Sequence, residues 1–406
     1  MTLPLDGVHV LDLSRILAGP SCSQILGDLG ADVIKVERPG VGDDTRAWGP
    51  PFLKAPEAGQ AGGDSAYFLS ANRNKRSVTV DLGVPEGVEV VRDLAIRSDV
   101  LVENFKVGDL ARKGLGWEQL RASNPSLIYC SVTGFGQTGP YAQRPGYDFI
   151  IQGMSGLMSI TGEADGPPMK AGIPISDILA GLYAGVSILA ALHDRNRTGR
   201  GRYVDISMLE CQIASLFFQS ANFLLSGNEP KRWGNAHPSV VPYQTFETRD
   251  GIITLGVGND VQFTRICAIA GKRALAHDAR YATNAARLAN RVSLIAALSS
   301  SFRENCTSHW IEKCSEAGIA CGPVNTLEQA LTDPHIRASR LIQNVPHPEA
   351  ERGHIDILRA PMRVEGAEIG IRRAPPTLGQ HTREILKEVL GYSSTKIQRL
   401  ARAGAI

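Results

Sequence analysis

Residues 8–40 read VHVLDLSRILAGPSCSQILGDLGADVIKVERPG, and the order of patterns within them decides the fold. Residues 8–13 are a short apolar run, the pattern of a buried strand. Residues 20–30 make a helix that opens on proline and closes on glycine, and 32–36 are a second buried strand. Strand, helix and strand in succession form a βαβ unit, whose two strands lie parallel because a helical crossover joins them.

The alternation continues outward with a strand at 77–82, a helix at 86–97, a strand at 100–104, a helix at 108–122 and a strand at 127–132. This predicts the α/β class, with a Rossmann-like, doubly wound, mostly parallel sheet. A Gly/Pro-rich stretch, TGFGQTGPYAQRPGYD at 133–148, then leads into a mostly helical region over 149–225. The loop GEADGPPMKAG at 162–172 and a strand at 203–207 interrupt that region. Beyond Gly227 the pattern changes: VVPYQTFETRDGIITLGVG at 240–258 reads as a hairpin around an Arg-Asp-Gly turn, and amphipathic helices follow to about residue 317. We expect a large domain over 1–226 and a smaller α+β domain over 227–325. The segment 326–406, with strands in 354–364 and a charged amphipathic helix from 381, is expected to return to the large domain.

The 406 residues are 43% hydrophobic, enough for a sizeable core. Lys and Arg total 43 against 41 for Asp and Glu, so a net charge of +2 gives no pull toward nucleic acid or an anionic membrane. Seven cysteines are scattered without CxxC pairs or metal-ligand spacing, which points to a reducing compartment and to no metal site. No leader pattern precedes the first strand, and the apolar stretches 178–192 and 213–225 are too short and too interrupted to span a bilayer. The expectation is a cytoplasmic protein.

In open parallel sheets ligands bind beyond the carboxyl ends of the strands, which selects Leu17, Ala18, Arg38, Asp81, Asn104 and Thr133. The fingerprint GxGxxG is missing after the first strand, so nothing calls for NAD. Arg38 and Arg112 each suit a phosphate through two parallel hydrogen bonds, or else a solvated surface. NRNKRS at 72–77 sets Lys75 and Arg76 at the mouth of a strand, to hold a phosphate or to decorate an edge. Asp177, in GIPISDILAGLYAG at 172–185, stands directly before an apolar helix, and on pattern alone it is an N-cap accepting backbone N–H groups.

An ordered set of motifs goes further: VLDLSRILAGP (10–20), NRNKRSVTVDL (72–82), DVLVENF (99–105), SVTGFGQTGPY (131–141), PGYDFIIQGMSGLMSITG (145–162), ISDILAGLYA (175–184), TGRGRYVDISML (198–209) and LGQHTREIL (378–386). Through them the chain resembles, along essentially its whole length, the class III CoA-transferases, the group that includes formyl-CoA transferase and carnitine CoA-transferase. DDTRAWGPPF (43–52) and KRWGNAHPSVVPYQTF (231–246) make it most similar to the succinate–hydroxymethylglutarate branch.

The resemblance implies an interlocked homodimer, a coenzyme A thioester as substrate and no permanently bound cofactor. It implies Asp177 as the nucleophile with Tyr147 and Asp148 beside it. Contacts to coenzyme A would come from Leu17, Ala18, Arg38, Val80, Asp81, Leu82, Gly83, Asn104, Phe105, Lys106 and Arg112. A carboxylate of ordinary pKa about 3.9 is ionised at neutral pH and attacks a thioester without a general base. A helix N-terminus would lower that pKa further.

The tetrahedral oxyanions need hydrogen-bond donors, for which the loop Gly234, Asn235, Ala236, His237 and the N–H groups near Ala18 are candidates, and His237 would also touch the acid substrate unless it is a surface or structural histidine. Arg46, or Arg232 beside Trp233, would meet the second carboxylate of a dicarboxylic acid, unless packing or the dimer uses them. Leu17 replaces a glutamine of formyl-CoA transferase, which argues against oxalate as acceptor. Tyr147 replaces a histidine of the α-methylacyl-CoA racemase branch, and a phenol of pKa about 10 is a poor base at neutral pH. The expected reaction therefore moves CoA from an acyl-CoA, succinyl-CoA or a related dicarboxylyl-CoA, to a free dicarboxylic acid. A racemase-type isomerase is the alternative, and a CoA-thioester binding protein without turnover the third reading.

Overall fold

A computed structural model of the chain describes residues 2–54 and 63–406. Strands β1 (His9–Asp12), β2 (Asp32–Glu37), β3 (Lys75–Thr79), β4 (Val100–Glu103), β5 (Ile128–Thr133) and β6 (Tyr203–Ser207) form one sheet. Its order is β3-β2-β1-β4-β5-β6 with every neighbouring pair parallel, the doubly wound arrangement the alternation predicts. The helices between and after these strands are α1 (Ala18–Asp28), α2 (Ala66–Ala71), α3 (Pro85–Ile96), α4 (Asp109–Arg112), α5 (Trp117–Ser123), α6 (Asp148–Met154), α7 (Leu157–Ile160), α8 (Ile175–Thr198), α9 (Met208–Ala214) and α10 (Phe218–Ser226).

The strands read as unbroken apolar runs because helices cover both faces. Val10, Val33, Val100, Val102 and Ile128 enter one core cluster with α1 and α8, while their neighbours Leu11, Ile34, Leu101 and Tyr129 enter another with α3. That alternation is the period of two that a strand imposes. The single helix expected over 108–122 is two, α4 and α5, because Gly114 takes φ 71° and turns the chain to bury Leu115. Helix α8 runs well past the apolar stretch seen in the sequence and is, by length and composition, long enough to cross a bilayer. Its Ala180, Ala184, Ile188 and Leu192 nevertheless pack on α1 and the sheet as a core helix does.

Contacts divide the chain into two compact units, one of Met1–Leu157, Ala171–Asn228 and Ser339–Ile406, the other of Met158–Lys170 and Glu229–Ala338. Within the second unit, β7 (Tyr243–Glu247) and β8 (Ile252–Gly256) make the expected hairpin, and β9 (Ala320–Pro323) adds antiparallel to β8. Helices α11 (Asp260–Ile269), α12 (Asn284–Ala289), α13 (Arg291–Phe302) and α14 (Thr307–Glu316) accompany that sheet, and its core holds Phe246, Leu255, Phe263, Phe302 and Trp310.

Within the first unit, β10 (Ile342–Pro346) pairs with β11 (His354–Leu358), which stops well short of Val364. The helix expected from 381 is broken: short helical turns over 382–389 end at Gly391, with φ 69°, before a last helix, Ser394–Arg402. The tail is tied in by the Asn74 side-chain oxygen, which accepts the Arg372 and Arg373 N–H groups at 2.7 and 3.0 Å. The Ala405 carbonyl in turn accepts the Asp81 N–H at 2.9 Å.

Candidate active site

β1 and β4 are neighbours, and from them the sheet is wound outward in opposite directions, so the crevice for a ligand lies beyond their carboxyl ends. The chain leaving β1 is held there against its own preference. Ile16 sits at φ 71°, an unfavourable region for a β-branched residue. It persists because its neighbours are pinned: the Asn104 side chain accepts the Arg15 N–H at 2.9 Å and donates to the Arg15 carbonyl at 2.7 Å, while Asp43 accepts the Ile16 N–H at 3.2 Å. The consequence is that α1 starts at Ala18 with its first N–H turned to the crevice.

Asp177 meets that N–H. It lies in the first turn of α8, buried, with the Ala18 N–H near enough to favour its ionised form. It is not the N-cap: Pro174 holds that position without a side-chain bond, and the cap comes from another helix. Asp148, first residue of α6, accepts the Ser176 N–H at 2.8 Å with one oxygen and Gln152 Nε2 at 2.7 Å with the other. Gln152 in turn accepts the Ala171 N–H at 2.8 Å, and Ser176 Oγ donates to Gln212 at 2.8 Å. α8 approaches α1 through Gly181, where a Cβ would stand 2.1 Å from Ser21 Oγ and 2.8 Å from the Ala18 carbonyl oxygen.

This setting overturns the expected acidity. Burial, and then the charge of Asp148, push the Asp177 carboxyl up to about 7, and the Ala18 N–H offsets only part of that. Tyr67, absent from the sequence reading, shares the region: burial first, then Asp177 and Asp148, push its phenol up to about 12.

A cleft of about 330 Å³ opens over Asp177 and gathers Ala18, Asn104, Phe105, Lys106 and the exposed Tyr147. A second, of about 310 Å³, gathers Arg38 and Val80, Asp81, Leu82 and Gly83. The two share Arg15, Phe105 and Asp109 as walls. Leu17 is the buried N-cap of α1 and lines neither, and Arg112 is exposed in an ion pair with Asp109.

Other candidates are committed elsewhere. Arg46 is buried, bonded to Glu37 at 2.7 Å and Asp64 at 2.6 Å and stacked 3.6 Å over Phe68, so it is a packing arginine rather than a substrate contact. Lys75 is no mouth-of-strand cation: β3 begins at this residue, and its Nζ is fully buried against Asp12 at 3.0 Å and the Pro20 carbonyl at 2.8 Å. Arg76 pairs with Asp32 and, at 2.9 Å, Glu384.

In the second unit the Gly234 N–H donates to the Gly162 carbonyl at 3.1 Å and the His237 N–H to the Tyr243 carbonyl at 2.9 Å, which takes both from the list of oxyanion donors. Asn235 Nδ2 reaches Thr245 Oγ1 at 3.5 Å, and Arg232 donates to the carbonyls of Ser159, Glu163 and Gly166.

Beneath the site lies a buried ionic cluster that the sequence reading missed. Lys35 pairs with Asp43 at 2.8 Å and donates to the Ser14 carbonyl at 2.8 Å, and Lys75 pairs with Asp12. Burial would raise the Asp12 carboxyl, but Lys75 and Lys35 outweigh it and hold the group down at about 2. Charged residues inside the strand patterns VLDL and VIKVE were the available signal.

The family model CoA-transferase family III matches residues 5–382. The chain is 45% identical to the succinyl-CoA:glutarate CoA-transferase of Mus musculus over 99% of this chain and 90% of the relative. It is 46% identical to the succinate–glutarate CoA-transferase of Agrobacterium fabrum over 95% and 96%. A solved structure of a CAIB/BAIF family protein from Brucella suis, 45% identical, superposes with a TM-score of 0.84 and covers 96% of this chain and 100% of that one. The chain belongs to CoA-transferase family III and is an enzyme of that class.

Proposed function

We propose that the enzyme transfers CoA from succinyl-CoA or a related dicarboxylyl-CoA to a free dicarboxylic acid, with Asp177 as the covalent carrier. The observation that carries this reading is a buried carboxylate at the floor of a cleft at the sheet's switch point, beside the N-terminus of α1. Asp177 attacks the thioester carbonyl, a C–O bond forms, the C–S bond breaks, and an aspartyl-acyl anhydride and CoA thiolate result. The thiolate then attacks the aspartyl carbonyl, the anhydride C–O bond breaks, and the donor acid leaves from an aspartyl-CoA thioester. The acceptor carboxylate runs the sequence in reverse and restores Asp177.

When the aspartyl carbonyl is attacked, the oxygen that gains charge is Asp177's own, so the Ala18 N–H is a ready oxyanion donor. The second cleft, with Arg38 beside Val80 to Gly83, suits the phosphate end of coenzyme A. No step of this chemistry calls for a resident cofactor or metal. The seven free thiols fit the reducing cytoplasm we infer for it. We also infer a homodimer.

The test is direct. Asp177→Ala and Asp177→Asn are expected to lower kcat by at least about 10³-fold. Hydroxylamine added after succinyl-CoA should mark Asp177 in a peptide digest. An unmodified Asp177 together with an active Asp177→Asn variant would exclude the covalent route. Deuterium entering the α-carbon of an acyl-CoA with no acceptor acid present would favour the isomerase reading instead.

A further inference from the structure

The two clefts are lined by several cations, and most of them are spent. Arg15 and Arg38 both pair with Asp44, at 2.9 and 3.2 Å, Lys113 donates to the Leu82 carbonyl, and Lys35 lies in the buried cluster. Among the described residues that line the Asp177 cleft, only Lys106 and Arg144 have no carboxylate partner.

Arg144 differs from Lys106 in how it is held. Its guanidinium lies 3.9 Å over the Tyr141 ring, and Tyr141 in turn meets the buried Phe135 edge to face at 5.6 Å. Stacking occupies the face of a guanidinium and leaves its in-plane N–H fork unspent. The loop that carries it is closed at its base: a Cβ on Gly134 would lie 2.7 Å from the Gly146 Cα, so the two backbones touch where no side chain fits. Gly134 itself is fixed to α9 through its carbonyl, which accepts the Leu209 N–H at 3.0 Å. A planar cationic fork, pre-oriented on an aromatic shelf in the cleft of the nucleophile, matches a carboxylate.

We propose that Arg144 binds the far carboxylate of the dicarboxylic acid and so determines which acids accept CoA, an inference that rests on the transfer reading above. The acyl carbon at one end of the acid meets Asp177, and the free carboxylate at the other takes the Arg144 fork. A monocarboxylic acid of the same length leaves that fork empty.

The experiment compares glutarate with valerate as acceptors from succinyl-CoA, in wild type, Arg144→Gln and Arg144→Lys. For glutarate, Arg144→Gln should lower kcat/KM about 100-fold, the loss of one bidentate charge-assisted contact, and Arg144→Lys should recover part of it. For valerate the same change should cost less than about 3-fold, narrowing the preference for the dicarboxylate. Equal losses for both acceptors overturn the proposal, and so does no loss for glutarate. A KM for free coenzyme A species that rises whatever the acyl group would assign Arg144 to the phosphates and overturn it too. Melting curves of all three proteins separate a folding defect from these outcomes, with Arg144→Lys carrying the test if the glutamine variant is unstable. If wild type transfers CoA to neither acid, the transfer reading itself fails, whatever Arg144 does.

Discussion

Asp177, the nucleophile we propose, is stored part-protonated. Burial and Asp148 hold its carboxyl at about 7, yet only the anion attacks a thioester. The kcat/KM for the acyl-CoA should therefore rise with pH through about 7, since this parameter reports the free enzyme. Asp148→Asn keeps an oxygen for the Ser176 N–H but removes the negative charge, so the same limb should move to lower pH; a limb left where it was would remove Asp148 as a cause. The candidacy of Asp177 as nucleophile was legible from the motif around it. Its acidity was not, because the groups that set it, Ala18 and Asp148, come from other parts of the chain. The local pattern suggested a self-capping helix and a lowered pKa, whereas the helix end is satisfied by Asp148 and burial decides the sign. Arg46 failed as a substrate contact for a related reason: nothing near it in sequence announces that Glu37 and Asp64 close around it.

Helices α1 and α8 pack side by side at the site, and their approach there passes through Gly181. Gly181→Ala would drive a methyl group toward the Ala18 carbonyl, a backbone atom that cannot swing aside. We expect a stability loss of about 1–3 kcal/mol from the overpacking, and a fall in kcat of more than about tenfold as the Ala18 N–H leaves Asp177. Urea melts and steady-state rates check both, and a variant with wild-type kcat would show that the spacing is not needed. Elements themselves were largely readable. Buried parallel strands show as apolar runs, and the strand Tyr203–Ser207 falls where its pattern placed it. The breaks were harder: α4 and α5 share one amphipathic pattern, and only the left-handed conformation of Gly114 divides them. Lys75 was misread because a strand-like run does not reveal that its first residue already faces the layer packed against α1.

The whole chain leaves a broad apolar surface on its first unit. α10 has no buried residue and exposes Phe218, Leu224 and Leu225, and α8 exposes Leu182, Tyr183 and Val186. Apolar surface of this kind is usual at subunit contacts. We expect light scattering to give twice the 43.6 kDa chain mass, and a stable monomer would count against the interlocked dimer. The doubly wound sheet was legible from alternation alone. The way residues 158–170 join 229–338 in one unit was not, since it depends on contacts such as the Arg232 bonds to the carbonyls of 159, 163 and 166. The contact of Gly134 with Gly146 has a last consequence. It clips the two ends of the Arg144 loop together beyond the carboxyl end of β5, so the exposed positions between them share one closed base. Libraries confined to its exposed positions, with the buried Phe135 kept, should move acceptor preference while the melting temperature stays near that of the wild type.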